Sequence, residues 1–399
     1  REDGVVSMSP RGALSLPYGA AALKARLEGE GGKKGKRAGA LREEMKGEFR
    51  RAYHQLDIPA FLTDANGRLD LYLSGGGFRG WGYMLMSRAR VDPYPIPIIN
   101  GYKGNKEEFR DTGSVMSAVS ESDAKVFGVS KRRASQIPAV AVLVDVLTEA
   151  LPMIKGIQFC QGGVREGFLF DKLPAEIRAQ DPLVVATSPF APTSSDSIID
   201  LLQSALPKTS SPIASSQPPE SFSPNLLHAL GNLLFAHSRN PKETRSAAAL
   251  HSTTTGILAS VNSLTHTDRV LLALALTERW AGDLAPADEK FRERLRHCVT
   301  AKEGWWARYL GRVAAMIGDV YASGVVPETG WRIRLAAGWE AVAKKEQRDL
   351  LAVQVWCNEA EATVFREAVQ EAGEQIEKLG KKKQREGAGG ERVEVRMVS

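Results

Sequence analysis

Ser74-Gly75-Gly76-Gly77-Phe78-Arg79 follows a stretch in which Leu69, Leu71 and Leu73 recur at period two and precedes the apolar run Trp81 to Met86. Period-two alternation predicts a strand, and the run after the glycines predicts a helix start. Three glycines between them offer backbone amides with no Cβ in front, and helix amides beyond Phe78 would face an anion. The chemistry of such a turn is phosphate binding; the plainer reading is a tight strand-to-helix connection. A second turn of the same kind lies at Gln161-Gly162-Gly163-Val164-Arg165-Glu166-Gly167. Arg165 and Glu166 beside it read either as a phosphate contact or as a structural ion pair at a helix N-terminus.

These turns need a scaffold, and the surrounding pattern supplies an α/β one. Val5 to Ser9 and Ala13 to Leu16 read as two short strands about Pro10-Arg11-Gly12, Tyr18-Gly19 opens a helix, and Leu41 to Leu56 is strongly helical until Ile58-Pro59. Pro93, Pro95 and Pro97 force an extended crossing before Ile98 to Tyr102. Two helices are predicted next: Lys106 to Phe127, broken near Gly113, then one capped by Ser130 with an apolar body over Val140 to Leu151. Ile154 to Cys160 returns as a strand into the second turn, and a helix runs on through Leu173. Strand, glycine turn and helix in alternation predict a sheet with helices on its faces.

Beyond residue 180 the pattern changes. Residues 181–224, dense in Ser and Pro from Ser188 to Pro224, read as a linker in which Ile198, Ile199, Leu201 and Leu202 could form one short docking helix. Residues 225–327 repeat apolar positions at i, i+3 and i+4 and read as an all-α domain. Residues 328–399 read as a small ββαβ domain: alternation about Ile333 and Leu335, an apolar strand over Leu350 to Trp356, an amphipathic helix over Glu359 to Leu379, and a last strand over Val393 to Val398. The tryptophans from Trp305 to Trp356 read as core and packing residues.

The formal net charge of +6 is mostly local. Lys33, Lys34, Lys36 and Arg37 fall in a Gly-rich loop, and Lys378, Lys381, Lys382, Lys383 and Arg385 where a helix runs out into glycines. No aromatic residues interleave with them, so solvated loops are preferred over nucleic-acid binding. Lys131, Arg132 and Arg133 read as a solvated helix face. Cys160, Cys298 and Cys357 are far apart and form no Cys-x-x-Cys pair, which predicts reduced thiols and a cytoplasmic or nuclear setting. No apolar stretch approaches the roughly 18 residues needed to cross a bilayer, so no membrane partner is expected.

Three segments in order, Ser15-Leu16-Pro17-Tyr18-Gly19-Ala20-Ala21-Ala22-Leu23, Ser74 to Arg79, and Val164-Arg165-Glu166-Gly167-Phe168-Leu169, resemble the Ppx/GppA family of exopolyphosphatases and guanosine pentaphosphate phosphohydrolases. Ser130-Lys131-Arg132-Arg133-Ala134 is similar to another of its recurring segments. The wording around Asn100-Gly101-Tyr102 and from Glu107 to Pro138 looks most like the fungal, retrograde regulation protein 2-like branch, as do residues 225–399. The resemblance implies an actin-like, ribonuclease H-like ATPase fold of two lobes with phosphates bound between them. Residues 1–180 would be the second lobe, followed by a degenerate HD-like helical domain and the α+β domain. Ser74 to Arg79 would be the late glycine motif, near the nucleoside or the distal part of a phosphate chain, with Arg165 and Glu166 at the cleft-side end of the last strand.

Family members also carry an Asp-x-Gly-Ser-type loop, a catalytic Glu and an Asp-Leu-Gly-Gly-Gly-Ser-type loop, none of which occurs here. The chain begins at Arg1, as a fragment or truncated gene model would. Phosphoanhydride hydrolysis requires phosphate positioning, Mg²⁺ and an oriented water together. The chain as given is therefore expected to be inactive and to hold no Mg²⁺ itself, with Mg²⁺ serving the full-length protein. His251, His266, Asp268 and His297 are scattered without a His-Asp pair, which predicts structural histidines and no metal site. The expected function is regulatory: a nucleotide or polyphosphate sensor whose helical and C-terminal domains hold regulatory protein partners. The alternative is an active phosphohydrolase when full length. Loss of the preceding strands is expected to leave an exposed apolar sheet edge or face around Val5 to Leu16.

Overall fold

A computed structural model describes residues 11–28, 34–121, 130–151, 153–208, 217–340, 350–358, 362–381 and 390–398. The chain divides into two compact units, Arg1–Gln180 and Asp181–Ser399.

The first unit is a small mixed sheet with helices packed on it. In chain order it runs α1 (Ala20–Glu28), α2 (Lys34–Leu56), β1 (Leu69–Leu73), α3 (Gly76–Met86), β2 (Lys103–Gly104), α4 (Lys106–Arg110), α5 (Thr112–Glu121), α6 (Lys131–Ala134), α7 (Ile137–Ala150), β3 (Ile154–Phe159), α8 (Val164–Asp171) and α9 (Ala175–Ala179). The strand order is β1-β3-β2. β1 and β3 are parallel, with Leu73 opposite Phe159, and β2 is antiparallel to β3.

The apolar helix α7 organises this unit. One of its faces joins Val140 and Val144 to Trp81, Met84 and Leu85 of α3 and to Ile157 and Phe159 of β3. Another joins Leu143, Val146 and Leu147 to Leu23 of α1 and to Leu41 and Met45 of α2. Buried Leu and Val side chains contribute roughly 1.5–3 kcal/mol each, so this double-sided helix joins the two clusters into one core.

Several expectations change. Val5 to Ser9 lies outside the described residues, and Ala13 to Leu16 is not a strand, because no described strand pairs with it. Leu14 and Leu16 instead line a cavity. Lys34, Lys36 and Arg37, expected in a loop, belong to α2, which begins two turns before Leu41; Lys33 lies outside the described residues. The helix expected from Lys106 breaks at Asp111, whose side chain accepts from the Ser114 N–H at 3.2 Å and starts α5. The helix capped by Ser130 is short, since α7 starts separately at Ile137 with Pro138 in its first turn.

The second unit runs α10 (Pro182–Thr187), α11 (Ser195–Ser204), α12 (Pro224–Leu233), α13 (Arg245–His251), α14 (His266–Trp280), α15 (Pro286–Arg296), α16 (Ala301–Val320), β4 (Ile333–Glu340), β5 (Leu350–Cys357), α17 (Ala362–Leu379) and β6 (Arg392–Val398). β5 is central, antiparallel to β4 and parallel to β6, with α17 as the crossover. Much of the segment read as a linker is built into this unit. Ile198, Ile199 and Leu202 of α11 are buried, and the carbonyl of Ala205 accepts from the Tyr309 hydroxyl at 2.7 Å. Among the described residues, the α-helical layer and the ββαβ layer form one unit, since α16 packs against α17 and the Trp305 indole N–H donates to the Leu379 carbonyl at 3.2 Å.

The α14 and α16 axes approach closely at Gly311, where a Cβ would stand 2.4 Å from the Ala275 carbonyl oxygen. Arg269, fully buried, donates to the carbonyls of Thr253, Leu258 and Val261 and so closes the turn before α14. Burial pulls its pKa down to about 10, yet it remains a cation at neutral pH, solvated by carbonyl dipoles.

Candidate functional site

Parallel strands carry their C-terminal ends to the same edge of a sheet, which is where open α/β sheets bind ligands. β1 and β3 do this, and each runs through a glycine turn into a helix: Ser74-Gly75 into α3 and Gln161-Gly162-Gly163 into α8. The two turns are joined directly, with the Ser74 hydroxyl donating to the Gly162 carbonyl at 2.9 Å. The strand ladder also reaches this edge, where the Cys160 N–H donates to the Leu73 carbonyl at 2.8 Å.

The three glycines of the first turn have different reasons to be glycine. Gly75 has φ of 100°, a conformation that side chains resist, and it stands at the helix N-cap with no side chain to cap the first amides. Gly77 is a packing glycine: its Cβ would lie 2.9 Å from the Ala20 Cβ and 3.0 Å from Val140 Cγ2. Gly76 is exposed, and a Cβ there, as at Gly75, would meet nothing within 4 Å. The bare N-cap leaves the first-turn amides of α3 to an outside acceptor, which favours an anion.

A cavity of about 460 Å³ opens beside this turn. Its floor and walls are Leu16, Tyr18, Phe49, Leu73, Val140, Leu143 and Leu147, with the backbone of Ser74 to Phe78 on one side. Tyr18 on its wall is buried, and its hydroxyl donates to Glu44 Oε1 at 2.9 Å. Burial and this hydrogen bond raise the Tyr18 pKa, while Arg26 and then the Tyr18 hydroxyl lower that of Glu44. The pair stays phenol and carboxylate at neutral pH.

Arg79 is half-buried on the second turn of α3, and its Nε lacks a hydrogen-bond partner among the described residues. Arg165 is exposed in the first turn of α8 and makes no ion pair among those residues. Glu166 does not pair with it; its Oε2 accepts from the Gly163 N–H at 2.8 Å. That carboxylate already sits at the α8 N-terminus, in the position an anion would take. The open end of the edge is therefore the α3 side, formed by Ser74 to Arg79.

Asn100 was not expected to matter here. It is 6% exposed, and its Oδ1 accepts from the Gln161 N–H at 2.7 Å, holding the second turn from the side opposite Ser74. The sequence signal is an Asn-Gly dipeptide after the Pro-rich crossing, with Gly101 at φ of 82°.

Ser74 and Cys160 are the hydroxyl and thiol beside the turns. Burial raises the Cys160 thiol pKa, so the thiol next to the second turn stays protonated at neutral pH. Among the described residues, no group of three His, Cys, Asp or Glu could hold a metal ion. The scattered histidines have other partners. His251 Nε2 lies 2.8 Å from Asp288 Oδ1 and its ring stacks on Phe291; Asp268 caps α14 through the Thr265 N–H and hydroxyl; and His297 lies 3.4 Å from Glu293. The tryptophans pack together, Trp305 and Trp306 with Tyr309, and Trp306 edge-on to Trp339. Among the described residues, no helix is long and apolar enough to cross a membrane.

Comparison with known proteins gives two domain matches. The profile of the Ppx/GppA phosphatase family matches residues 5–176, and that of the RTG2 C-terminal domain matches residues 181–399. Retrograde regulation protein 2 of Saccharomyces cerevisiae is 36% identical over 329 residues, covering 78% of this chain and 53% of that protein. The chain thus spans about half the length of the curated relative it matches.

Proposed function

The chain belongs to the Ppx/GppA phosphatase family, in a form that carries the RTG2 C-terminal domain, and from that premise we propose that it is a regulatory protein that senses a phosphate chain. The ligand is a nucleotide or polyphosphate, held at the edge formed by Ser74, Gly75, Gly76, Gly77, Phe78 and Arg79, with Arg165 flanking it. The observation that carries this reading is the bond between the two turns: Ser74 donates to Gly162 at 2.9 Å, so the ends of β1 and β3 form one continuous backbone surface. The uncapped N-terminus of α3 supplies amides and partial positive charge, and the apolar cavity beside it suits the less polar part of a ligand.

The first unit corresponds, in this reading, to the second lobe of an actin-like fold, and a facing lobe would supply the opposite wall. The chain itself binds weakly and does not hydrolyse phosphoanhydrides, because among the described residues the turns position phosphate without an accompanying metal site or a base to orient water. Its signal passes to cytoplasmic protein partners through the second unit. A ββαβ layer and an apolar helical layer are not needed to position phosphate, which favours recognition as their role.

The test is ligand-observed NMR with ATP and tripolyphosphate on the 399-residue chain, alongside phosphate release with Mg²⁺. Saturation transfer from protein to ATP is expected at millimolar ligand and should disappear in Gly76→Asp, which sets a carboxylate at the turn. No transfer at all would overturn the phosphate reading. A submicromolar dissociation constant, or Mg²⁺-dependent phosphate release, would overturn weak binding and inactivity.

A further inference from the structure

A basic run opens α6. Lys131, Arg132 and Arg133 are followed by Ala134 and Ser135, so two arginines stand three and two residues before a hydroxyl. Ser135 is exposed in the turn between α6 and α7. Its Oγ accepts from Lys24 Nζ of α1 at 3.1 Å, across 111 residues of sequence. Lys24 also lies 3.7 Å from Glu28 on its own helix. Tertiary structure thus already holds a cation beside an exposed serine that follows an arginine pair.

A protein kinase reads an extended stretch of its substrate, so α6 must open to be read. It is one turn long, Lys131–Ala134, and a single helical turn has little stability of its own. The Ala134 N–H donates to the Ser130 carbonyl at 2.9 Å, the Arg133 N–H to the Ser130 hydroxyl at 3.4 Å, and the Gln136 N–H to the Arg133 carbonyl at 2.9 Å. Pro138 has no N–H to give the Ala134 carbonyl, so the hydrogen-bond ladder of α7 is interrupted where it would run back into α6. Ile137 is buried, as are Val140, Ala141 and Val144 behind it. Opening therefore stops at the start of α7 and leaves the core in place.

We propose that Ser135 is a phosphorylation site for a serine/threonine kinase whose substrate groove is lined by carboxylates. Arg132 and Arg133 are the residues that groove reads, since guanidinium–carboxylate pairs are strong and directional. In the transfer, Ser135 Oγ attacks the γ-phosphorus of Mg²⁺-bound ATP. A bond forms between Oγ and that phosphorus, the bond from phosphorus to the β,γ-bridging oxygen breaks, ADP leaves, and the hydroxyl proton passes to the catalytic Asp of the kinase. The product carries about −1.5 to −2 charges at neutral pH. It faces Lys24 Nζ of α1 and the N-terminal end of α7, where negative charge is favoured. Leu23, next to Lys24, is buried with Leu143 and Val146 of α7, so the phosphate fastens together two helices that already share a core. The site is independent of any phosphate ligand at the glycine turns.

The experiment treats the 399-residue chain with Mg²⁺-ATP and the catalytic subunit of an arginine-directed serine kinase, with an acid-directed kinase in parallel. Mass spectrometry of the folded chain should show phosphoryl transfer by the arginine-directed enzyme, and fragmentation should place it on Ser135. Ser135→Ala should remove that label, and Arg132→Ala combined with Arg133→Ala should slow transfer at least roughly tenfold. The phosphorylated chain should melt about 2–4 °C above the parent, and Lys24→Ala should abolish the rise. Fragment mapping uses the unaltered chain, so a folding defect in a variant leaves that arm in force. No transfer to Ser135, or transfer only after heat denaturation, would overturn the site. Equal transfer by the acid-directed kinase would overturn the role of the arginines. A melting temperature that does not rise on phosphorylation, or a rise that persists in Lys24→Ala, would overturn the clamp between α1 and α7.

Discussion

The Ser74 hydroxyl donates to the Gly162 carbonyl at 2.9 Å across 88 residues of sequence, so the two glycine turns form one surface. The bond is exposed, and an exposed neutral hydrogen bond contributes at the lower end of about 0.5–1.5 kcal/mol. Ser74→Ala is therefore expected to cost about 0.5 kcal/mol of stability, while weakening ATP contact in saturation-transfer NMR by loosening the turns. Gly75→Ala is the contrasting variant. At φ of 100° an added Cβ is strained by about 1–2 kcal/mol, although nothing lies within 4 Å of it. Chemical denaturation of both variants should rank Gly75→Ala as the more damaging, and the reverse order would place the importance of the turn in its side-chain bond.

Tyr309 links α16 to the carbonyl that ends α11, a helix lying within the Ser- and Pro-rich stretch. The phenol is fully buried, with its hydroxyl 2.7 Å from the Ala205 oxygen, and burial raises its pKa well above that of an exposed tyrosine. Tyr309→Phe leaves the Ala205 carbonyl without this donor in an apolar setting, which costs roughly 1–3 kcal/mol. Urea unfolding should show a lower midpoint with an unchanged slope. A midpoint equal to the parent's would mean that α11 contributes little to the unit and behaves as the linker its composition suggests.

What could be read in the sequence follows from how local each signal is. Alternation at Leu69, Leu71 and Leu73 located β1, and the glycine turn and α3 follow from residues within a dozen positions. The same holds for β5 and β6 with α17 between them. Ala13 to Leu16 has strand-like composition but no described partner to make it a strand, and pairing is not a property of one segment. Composition also misjudged residues 181–224, because Ser and Pro dominate the count while Ile198, Ile199 and Leu202 alone decide that α11 is buried. At the candidate site, Ser74 to Phe78 was legible through its glycines. Its tie to Gly162 and the role of Asn100 were not, since both are long-range contacts made by ordinary polar residues. Glu166 could be read as a helix-start residue three positions after Gly163, but its carboxylate bonds that backbone and not Arg165.

The tight crossing of α14 and α16 yields a strong stability prediction. A Cβ on Gly311 would meet the Ala275 carbonyl oxygen at 2.4 Å, and that oxygen is main chain within a buried helix. The helix cannot rotate away without disturbing Leu271 and Leu274 on the same element, both buried. Gly311→Ala gains about 1 kcal/mol of helix propensity, yet overpacking costs typically 1–3 kcal/mol and more when the obstacle is backbone. A net loss of about 1–2 kcal/mol is expected, seen as a lower melting temperature by calorimetry. A stabilised variant would mean that the helices can separate there at little cost.

His237 provides a pH test. The ring is 4% exposed and its Nε2 has no partner among the described residues, and burial holds its pKa below the ordinary value of 6.5. Between the folded and unfolded pKa values, the unfolded chain binds more protons at this position than the folded one does. Stability then rises with pH across that window and is flat above 6.5 as far as this group is concerned. Acidification therefore destabilises the second unit by charging His237 on unfolding. His237→Leu removes the proton site and places an apolar group in an apolar setting. Melting curves taken from about pH 7.5 down to about pH 5.5 should show the parent losing more stability than the variant, with the difference opening only below about 6.5. Equal slopes for the two proteins would mean that the buried imidazole takes up its proton in the folded state as readily as in the unfolded one.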